Sequence, residues 1–328
     1  MEKRKVGRQG LEVSAIGLGC MGMNFLYGPA GDDAESVATV RLALDLGVDF
    51  FDTSQIYGPF TNEELLGRAL EGRRDEAVIA TKFGFDFRDG QLVGIDSRPE
   101  TIKAAADAAL KRLRTDHIDL FYQHRVDPKV PAEDVAGAVG ELVQAGKVRF
   151  FGLSEASADR VRRSHAVFPV SALQTEYSVW ERGLEDHHIP TLRELGVGLV
   201  PYSPLGRGFL TGAIARAEEL PEGDFRRTDP RFQGENYDRN MAAAGVVREI
   251  AQAHGATPAQ VALAWVLAQG DDIVPIPGTK QRGRLRENAG AATLRLTEQD
   301  LARLDVDLRP EAVAGKRYTE QALATLDI

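Results

Sequence analysis

Residues 120–154 read LFYQHRVDPKVPAEDVAGAVGELVQAGKVRFFGLS, and this stretch contains one complete strand–helix–strand unit. The apolar runs Leu120–His124 and Val148–Ser154 are typical of short buried strands. Between them, Ala132–Ala145 has a helical pattern that ends at Gly146, and glycine commonly terminates helices. Strands that alternate with helices in this way predict a parallel sheet with crossover helices.

The same alternation continues in both directions along the chain. Helical patterns occupy Glu35–Leu46, which Gly47 follows, and Glu100–Arg114, with Pro99 near the first turn. Eight strands are predicted, at Ala15–Gly19, Phe50–Ser54, Ala77–Lys82, Leu120–His124, Val148–Ser154, Ala172–Ser178, Gly198–Pro204 and Asp272–Gly278. Eight such repeats in 328 residues predict an α/β fold, a (β/α)8 TIM barrel that spans residues 1–328 as a single domain.

Two segments go beyond a minimal barrel. Before the first strand, Lys3–Val6 and Leu11–Ser14 flank Gly7-Arg8-Gln9-Gly10, which predicts an N-terminal β-hairpin. After strand seven, residues 205–240 contain glycine, proline and charge without clear periodicity, which predicts a long loop. Loops of this length are usually functional or disordered.

Composition excludes several functional classes. The chain is 43% hydrophobic and 27% charged, as in globular proteins, and its net charge of −9 disfavours a nucleic-acid partner. The longest apolar run, Val261–Ala268, is too short to span a bilayer and predicts a buried helix rather than a membrane anchor. The only cysteine, Cys20, excludes an internal disulfide, and the first residues lack a signal-peptide pattern. We therefore expect a cytoplasmic protein.

Polar side chains follow three consecutive predicted strands, where catalytic groups of barrels lie. Asp52 ends strand two with Tyr57 shortly after it, Lys82 ends strand three, and His124 ends strand four. Each residue also has a structural explanation: a turn cap, a packed turn, a surface charge or a buried histidine. Together they favour one site for carbonyl reduction, because the oxygen that gains negative charge needs a proton donor. A phenol beside an ammonium releases its proton more readily.

These residues, with the motifs FDTSxxYG, ATKFG and YQHRVDP, resemble the aldo-keto reductase superfamily, especially its bacterial and plant general or auxin-induced reductases. The resemblance extends from Gly17 to Asn288, and it implies that the N-terminal hairpin closes the barrel floor. It also implies an NADPH-dependent enzyme that transfers hydride to an aldehyde or ketone without a metal. Tyr57 would be the general acid, tuned by Lys82 with support from Asp52, and His124 would position the carbonyl.

The segment Gly17–Gly22 matches the GxGxxG pattern of dinucleotide-binding Rossmann folds. That pattern requires a helix directly after it, whereas helical pattern here resumes only near Asp33, beyond Gly28-Pro29. We therefore reject a Rossmann fold and interpret the glycines as allowing close approach of a ligand. The resemblance places Gly19, Cys20 and Met21 beside the nicotinamide or the substrate.

The resemblance implies further cofactor contacts at later strand ends. Ser154, Glu155 and Gln174 would meet the carboxamide, although many relatives have asparagine at the position of Glu155. Tyr202 would stack on the nicotinamide. Ser203, Leu205, Gly206 and Gly208 match a pyrophosphate-binding turn, in which relatives often have a small polar residue at the position of Arg207. The alternative is that residues 201–208 form only a tight loop at the strand exit.

Four basic residues are concentrated in residues 276–288, after strand eight. Such a run is usually a solvated face, but phosphate sites recur at this place in barrels. Arginine suits the 2′-phosphate of NADP because its planar fork binds pairs of oxygens. The resemblance implies that Arg284 and Thr279 hold that phosphate, and that Glu287 and Asn288 lie at the adenine. Some relatives have lysine at Gly278, so the backbone would serve there, with partial compensation by Lys280.

The predicted substrate walls are Met21, Tyr27, Phe83, Phe85 and Trp180, which favour a bulky or aromatic carbonyl substrate unless they only pack under loops. A binding protein of the same fold, such as an NADPH-binding potassium-channel subunit, is an alternative that predicts tight cofactor binding with very slow hydride transfer. A metal-dependent hydrolase would need paired histidines at a strand end, whereas His187 and His188 are adjacent and are predicted on a helix or its approach. Substrate, reaction direction and oligomeric state stay open.

Overall fold

A computed structural model of the chain describes residues 1–28, 31–212 and 214–327. Eleven strands lie in these ranges: β1 (Lys3–Lys5), β2 (Glu12–Ser14), β3 (Leu18–Gly19), β4 (Phe50–Asp52), β5 (Val78–Phe83), β6 (Phe85–Arg88), β7 (Gln91–Ile95), β8 (Ile118–Gln123), β9 (Val148–Ser154), β10 (Val170–Glu176) and β11 (Gly198–Tyr202). Twelve α-helices lie in the same ranges: α1 (Asp33–Asp45), α2 (Thr61–Ala69), α3 (Pro99–Leu113), α4 (Ala132–Gln144), α5 (Ala158–Val167), α6 (His188–Leu195), α7 (Gly234–Ala243), α8 (Gly245–Ala253), α9 (Pro258–Ala268), α10 (Arg282–Gly290), α11 (Glu298–Asp307) and α12 (Glu320–Leu323).

Seven strands form a parallel sheet in the order β11-β10-β9-β8-β5-β4-β3. The predicted eighth strand, residues 272–278, joins its two edges: the Leu199 amide donates to the Asp272 carbonyl at 2.9 Å, and the Gly17 amide to the Pro275 carbonyl at 2.9 Å. It forms isolated bridges rather than a regular ladder because Pro275 and Pro277 have no amide hydrogen. The predicted barrel is therefore confirmed and nearly closed.

The N-terminal hairpin packs against the end of the barrel at which the strands begin. β1 and β2 pair antiparallel, and the Arg8 amide between them donates to the Gly196 carbonyl at 2.8 Å, just before β11. Val6, Leu11 and Val13 are buried in one cluster with inward-facing strand residues. The predicted hairpin at the barrel floor is confirmed, and it leaves the opposite end of the barrel for the polar residues.

The helices cover the outer face of the sheet. Successive strand residues alternate between the two faces: Phe121 packs outward against the helices, whereas its neighbours Leu120 and Tyr122 belong to the inner cluster. The predicted helices at α1, α3 and α4 are present within two residues of their expected bounds, and α3 begins at Pro99 as the sequence indicates. Within residues 1–28, 31–212 and 214–327, no helix has the length and apolar character that a bilayer requires.

Two features differ from the expectation. The antiparallel hairpin β6–β7 follows β5 at the polar end of the barrel and was not predicted. The long segment after β11 is more ordered than its composition suggests, because it contains short 3-10 turns and ends in α7. His188 is the first residue of α6, which agrees with the prediction that the adjacent histidines lie on a helix or its approach.

Candidate active site

The structure brings the four predicted catalytic side chains together at the carboxyl ends of the strands. Asp52 ends β4, Lys82 lies on the neighbouring strand β5, and His124 follows directly after β8. Tyr57 lies in the turn after β4. The Lys82 Nζ atom is 2.5 Å from Asp52 Oδ1, 2.8 Å from the Thr53 carbonyl oxygen and 3.2 Å from the Tyr57 hydroxyl.

Lys82 is a buried cation, 1% exposed, whose donors all face acceptors. Burial opposes its charge, but Asp52 and Tyr57 outweigh this and raise the pKa of Lys82. Burial also raises the pKa of Asp52, while Lys82 and the Gln174 amide, which donates to Asp52 Oδ2 at 2.7 Å, act in the opposite direction. Because an amine holds a proton far more strongly than a carboxylate, the pair is an ammonium with a carboxylate.

Tyr57 is 8% exposed, and its ring packs beside Phe25 and edge-on to His124, with centroid distances of 6.0 and 5.9 Å. Burial raises the pKa of the Tyr57 phenol, and the Lys82 ammonium partly counteracts that rise. The ammonium therefore acts to lower the pKa of the phenol, as expected, but the opposite effect of burial is larger. The phenol is therefore protonated at neutral pH, as a proton donor must be.

His124 is buried, and its Nδ1 atom lies 2.9 Å from the Ser54 hydroxyl. Burial, with the nearby charges of Arg125 and Lys82, holds the pKa of His124 well below its usual value, so the imidazole is neutral. The Ser54 oxygen also accepts from the Ile56 amide at 3.4 Å. This favours donation of the hydroxyl proton to Nδ1, which leaves the imidazole proton on Nε2.

Gln174 and Glu155, two residues predicted at the cofactor carboxamide, contact protein groups. Gln174 donates to Asp52, as described. Glu155 is fully buried, and its carboxylate accepts from Arg317 at 2.7 Å, the Tyr202 hydroxyl at 2.7 Å and the Thr175 hydroxyl at 2.9 Å. The carboxamide of a cofactor would have to share the Glu155 oxygens with these protein donors. The predicted contact between Glu155 and the carboxamide therefore stays a prediction. Ser154 is the buried last residue of β9, beside Glu155.

The turn after β11 contains two glycines with left-handed backbone angles. Gly206 has a φ of +56°, and a Cβ atom there would lie 2.5 Å from the Trp180 ring. Gly208 has a φ of +105°. Arg207 between them is buried and forms ion pairs with Glu176 and Asp229, so its charge anchors the loop internally. Ser203 and Leu205 in the same turn are partly exposed, at the open end of the barrel.

The basic segment after the eighth strand begins beside β3, where Gly278 and Gly19 form a bridge. The Thr279 hydroxyl accepts from the Gln281 amide at 3.1 Å, directly before α10. Arg282 is paired with Glu35 at 3.0 Å, whereas Arg284 is exposed and forms no hydrogen bond or ion pair with the described residues. Asn288 is buried and Glu287 half-buried on the same helix. An unpaired arginine in the first turn of a helix is suited to an anion.

The predicted substrate walls are only partly supported. Phe83 is fully buried, packs 4.7 Å from Phe121 and belongs to the outer cluster under the helices, so its predicted place in the substrate wall is wrong. Trp180 is 1% exposed and packs 5.2 Å from Phe209 beneath the long loop, which also makes it a packing residue. Phe85, by contrast, is partly exposed and its ring lies 5.0 Å from His124.

Sequence reasoning missed several neighbours of the four central side chains. Phe25 packs on Tyr57, Ser54 holds His124, and the Gln55 amide donates to the Phe85 carbonyl at 2.8 Å. Ser54 and Gln55 lie within the quoted FDTSxxYG motif, so their position was a usable signal. Arg317, which pairs with Glu155 across 162 residues, left no local signal in the sequence.

Comparison with known proteins gives consistent matches over most of the chain. The model of the Aldo/keto reductase family matches residues 15–306. Probable aldo-keto reductase 1 of Glycine max is 45% identical over 315 residues, which cover 96% of this chain and 91% of that protein. Among solved structures, the glycerol dehydrogenase of Gluconobacter oxydans superposes with a TM-score of 0.84 at 30% identity and covers 93% of this chain and 94% of its own. An aldo-keto reductase of Bacillus halodurans in its holo form gives a TM-score of 0.78 at 27% identity, with coverage of 98% and 99%.

Proposed function

Because the chain belongs to the aldo/keto reductase family, we propose that it is an NADPH-dependent reductase that converts an aldehyde or ketone to an alcohol, with residues 1–328 as one catalytic domain. The observation that carries the proposal is the contact of the Lys82 ammonium with both the Asp52 carboxylate and the Tyr57 hydroxyl. This arrangement prepares one phenol for proton transfer inside a water-poor site.

Tyr57 acts as the general acid. Its raised pKa keeps the phenol protonated at neutral pH, so that it can donate to the oxygen that gains charge. Once the proton has left, the phenolate faces the Lys82 ammonium at 3.2 Å, which stabilises it. Asp52 and the Thr53 carbonyl hold that ammonium in place, since both are acceptors at fixed positions.

His124 orients the substrate carbonyl. The imidazole is neutral, and Ser54 at Nδ1 leaves Nε2 as the hydrogen-bond donor. Its ring stands edge-on to that of Tyr57, so both donors approach the same region. Two donors that converge on one oxygen fix the direction from which the carbonyl carbon can be attacked.

The residues present fit a nicotinamide dinucleotide, which supplies the hydride when bound. Gly206 and Gly208 present backbone without side chains in the turn proposed for the pyrophosphate, while the Arg207 side chain between them is paired with Glu176 and Asp229. Arg284 has no partner among the described residues that would compete with a 2′-phosphate. The proposed cofactor contacts are Gly19, Cys20, Met21, Ser154, Glu155, Gln174, Tyr202, Ser203, Leu205, Gly206, Gly208, Gly278, Thr279, Lys280, Arg284, Glu287 and Asn288. Arg284 is the basis for proposing NADPH rather than NADH.

The substrate is proposed to be a small carbonyl compound with a bulky or aromatic group. Phe85 and Tyr27 are partly exposed, and Phe85 adjoins His124. The structural neighbour from Gluconobacter oxydans is named a glycerol dehydrogenase, so the assay also includes small polyols and their carbonyl forms. Faster turnover of glyceraldehyde than of 4-nitrobenzaldehyde would contradict the aromatic preference.

The test follows NADPH oxidation by absorbance with a panel of carbonyls, for the wild type and Tyr57→Phe. We expect Tyr57→Phe to lower the reduction rate by about 10²- to 10⁴-fold, because it lacks the donated proton, with NADPH affinity nearly unchanged. The matched control is Tyr237→Phe, whose hydroxyl instead binds the Ile214 carbonyl in the long loop and which should keep its rate. Equal turnover by wild type and Tyr57→Phe would remove Tyr57 from the reaction.

A further inference from the structure

The buried carboxylate of Glu155 joins the strand ends to the C-terminal part of the chain. Its Oε2 atom accepts from Arg317 Nη2 at 2.7 Å, and its Oε1 atom accepts from Tyr202 at 2.7 Å and from Arg317 Nη1 at 3.2 Å. Burial would raise the pKa of Glu155, but Arg317 outweighs it and the pKa is lowered. The carboxylate is therefore charged, and a fully buried charge depends on its partner.

Residues 314–318, here termed the C-terminal segment, hold Arg317 in a fixed position. The buried Asn240 side chain binds both polar groups of Ala314: it donates to the carbonyl at 2.9 Å and accepts from the amide at 2.8 Å. Gly315 has a φ of +87°, and a Cβ atom there would lie 2.9 Å from the Pro230 carbonyl. The backbone that carries Arg317 is thus clamped against the long loop after β11.

Tyr318, the next residue of the C-terminal segment, also contacts the Tyr202 hydroxyl. Its hydroxyl lies 2.9 Å from that of Tyr202. Its ring lies over the buried Arg207 guanidinium, 4.4 Å from the ring centroid, and Arg207 is itself paired with Glu176 at 2.8 Å. The Tyr202 hydroxyl is therefore held directly by Tyr318 and, through Glu155, by Arg317.

Tyr202 keeps a half-exposed ring while its hydroxyl is fixed. Burial and the Glu155 charge raise the pKa of Tyr202 well above its usual value, so the hydroxyl remains a donor. A tyrosine side chain has only two rotatable torsions, and the backbone of Tyr202 is held by pairing of β11 with β10. A held hydroxyl oxygen fixes the first torsion and therefore the direction of the ring axis. Because a phenol O–H bond prefers to lie in the plane of its ring, the two hydroxyl partners, Glu155 and Tyr318, also favour one orientation of the ring about that axis.

We propose that Arg317 and Tyr318 are positioning residues for the cofactor: they set the plane of the Tyr202 ring on which the nicotinamide stacks. This inference rests on the function proposed above. It assigns the C-terminal segment to the nicotinamide half of the site, and it gives Glu155 the role of a link between Arg317 and Tyr202. The 2′-phosphate end, at Arg284, lies on a different element and is independent of this link.

The expected effect follows from the loss of one stacking partner. Aromatic pairs in a favourable geometry contribute about 0.5–1.5 kcal/mol, so a ring free to rotate should weaken NADPH binding by about two- to tenfold. The rate of hydride transfer should also fall, because the nicotinamide is less well oriented. The ratio of NADPH to NADH affinity should stay unchanged, since the phosphate contacts are intact.

The experiment titrates the full chain with NADPH and with NADH, followed by quenching of protein fluorescence, and measures single-turnover hydride transfer. The variants are Arg317→Met, Arg317→Lys and the matched control Lys316→Met, whose exposed side chain pairs with Glu320. We expect Arg317→Met to bind both cofactors more weakly. Arg317→Lys should recover part of the affinity, because it keeps the charge but lacks the planar, two-pronged guanidinium. Lys316→Met should behave as the wild type. Tyr202→Phe combined with Arg317→Met should bind no more weakly than the more affected single variant.

A purely structural role for Arg317 would lower the melting temperature and leave cofactor affinity and the hydride-transfer rate unchanged, and that result would overturn the proposal. If Arg317→Met does not fold, Tyr318→Phe decides: it removes a single hydroxyl, should weaken both cofactors about twofold or more, and overturns the proposal if both affinities are unchanged. If the wild type binds neither NADPH nor NADH, both the proposed function and this inference are rejected. If the wild type binds a cofactor and the variants bind it with the same affinity, only the positioning role is rejected.

Discussion

Replacing Lys82 by methionine separates the electrostatic role of the ammonium from its packing. The Lys82 Nζ atom lies 3.2 Å from the Tyr57 hydroxyl, and at an effective dielectric constant of about 20 an ammonium and a phenolate at that distance attract by about 5 kcal/mol. The Asp52 carboxylate, 2.5 Å from the same nitrogen, offsets part of this. A net loss of about 3–4 kcal/mol remains, similar to the removal of one oxyanion donor, which lowers kcat about 10²- to 10³-fold.

The assay measures single-turnover reduction of a carbonyl by the pre-formed NADPH complex as a function of pH. In the wild type the rate should be constant through neutral pH and fall only at alkaline pH, because burial raises the pKa of Tyr57 and the phenol must be protonated. The ammonium acts to lower that pKa, so its removal in Lys82→Met should move the alkaline decrease to higher pH. The sign follows from the loss of a cation beside a group that becomes an anion.

A second variant tests whether misfolding, rather than the missing ammonium, causes the loss of rate. Lys82→Met leaves the Asp52 carboxylate buried without its cation, which destabilises the fold, whereas Lys82→Met with Asp52→Asn removes both charges. We expect the double variant to recover thermal stability without recovering the rate. A decrease smaller than about fivefold in Lys82→Met, or a recovered rate in the double variant, would refute the role assigned to Lys82.

Two further predictions concern other parts of the site. Arg284→Ala should weaken NADPH binding about tenfold or more and change NADH binding little, because it removes a charge-assisted contact to the 2′-phosphate; equal weakening of both in fluorescence titrations would contradict the phosphate site. Gly206→Ala should lower the free energy of unfolding by about 2–3 kcal/mol in urea denaturation, because it combines a left-handed φ with overlap on the Trp180 ring. The control Gly137→Ala lies in α4, where an added Cβ meets no atom within 4 Å among the described residues outside the local helix backbone, and it should instead be neutral or stabilise by about 1 kcal/mol.

The fold was predictable because its signals are local and repeated. Each strand–helix unit carries its own apolar periodicity, and the parallel strands then bring their carboxyl ends to one rim. Asp52, Lys82 and His124 therefore had to lie near one another once their strands were assigned in order. The position of the eighth strand was predicted correctly, but its irregular pairing was not. Pro275 and Pro277 interrupt that pairing.

Two errors had usable signals in the sequence. Lys82 points into the barrel, and because successive strand residues face opposite sides, Phe83 had to face the helices rather than the substrate. The hairpin β6–β7 turns at Asp89-Gly90, with φ angles of +50° and +75°, and this dipeptide favours two-residue hairpin turns. Both features could have been predicted from the sequence, because each follows from a rule of local structure.

The environment of Glu155 shows where local reasoning ends. A carboxylate as fully buried as that of Glu155 needs a cation beside it, so its burial demands a basic partner. The nearest arginine in the sequence, Arg160, pairs with Asp327 instead, and the partner of Glu155 is Arg317, 162 residues away. Its identity depends on the path of the C-terminal segment, which Asn240 and Gly315 fix through contacts with the long loop. Catalytic side chains on consecutive strands are thus brought together by the barrel itself, whereas the side chains that orient Tyr202 are brought together only by tertiary packing.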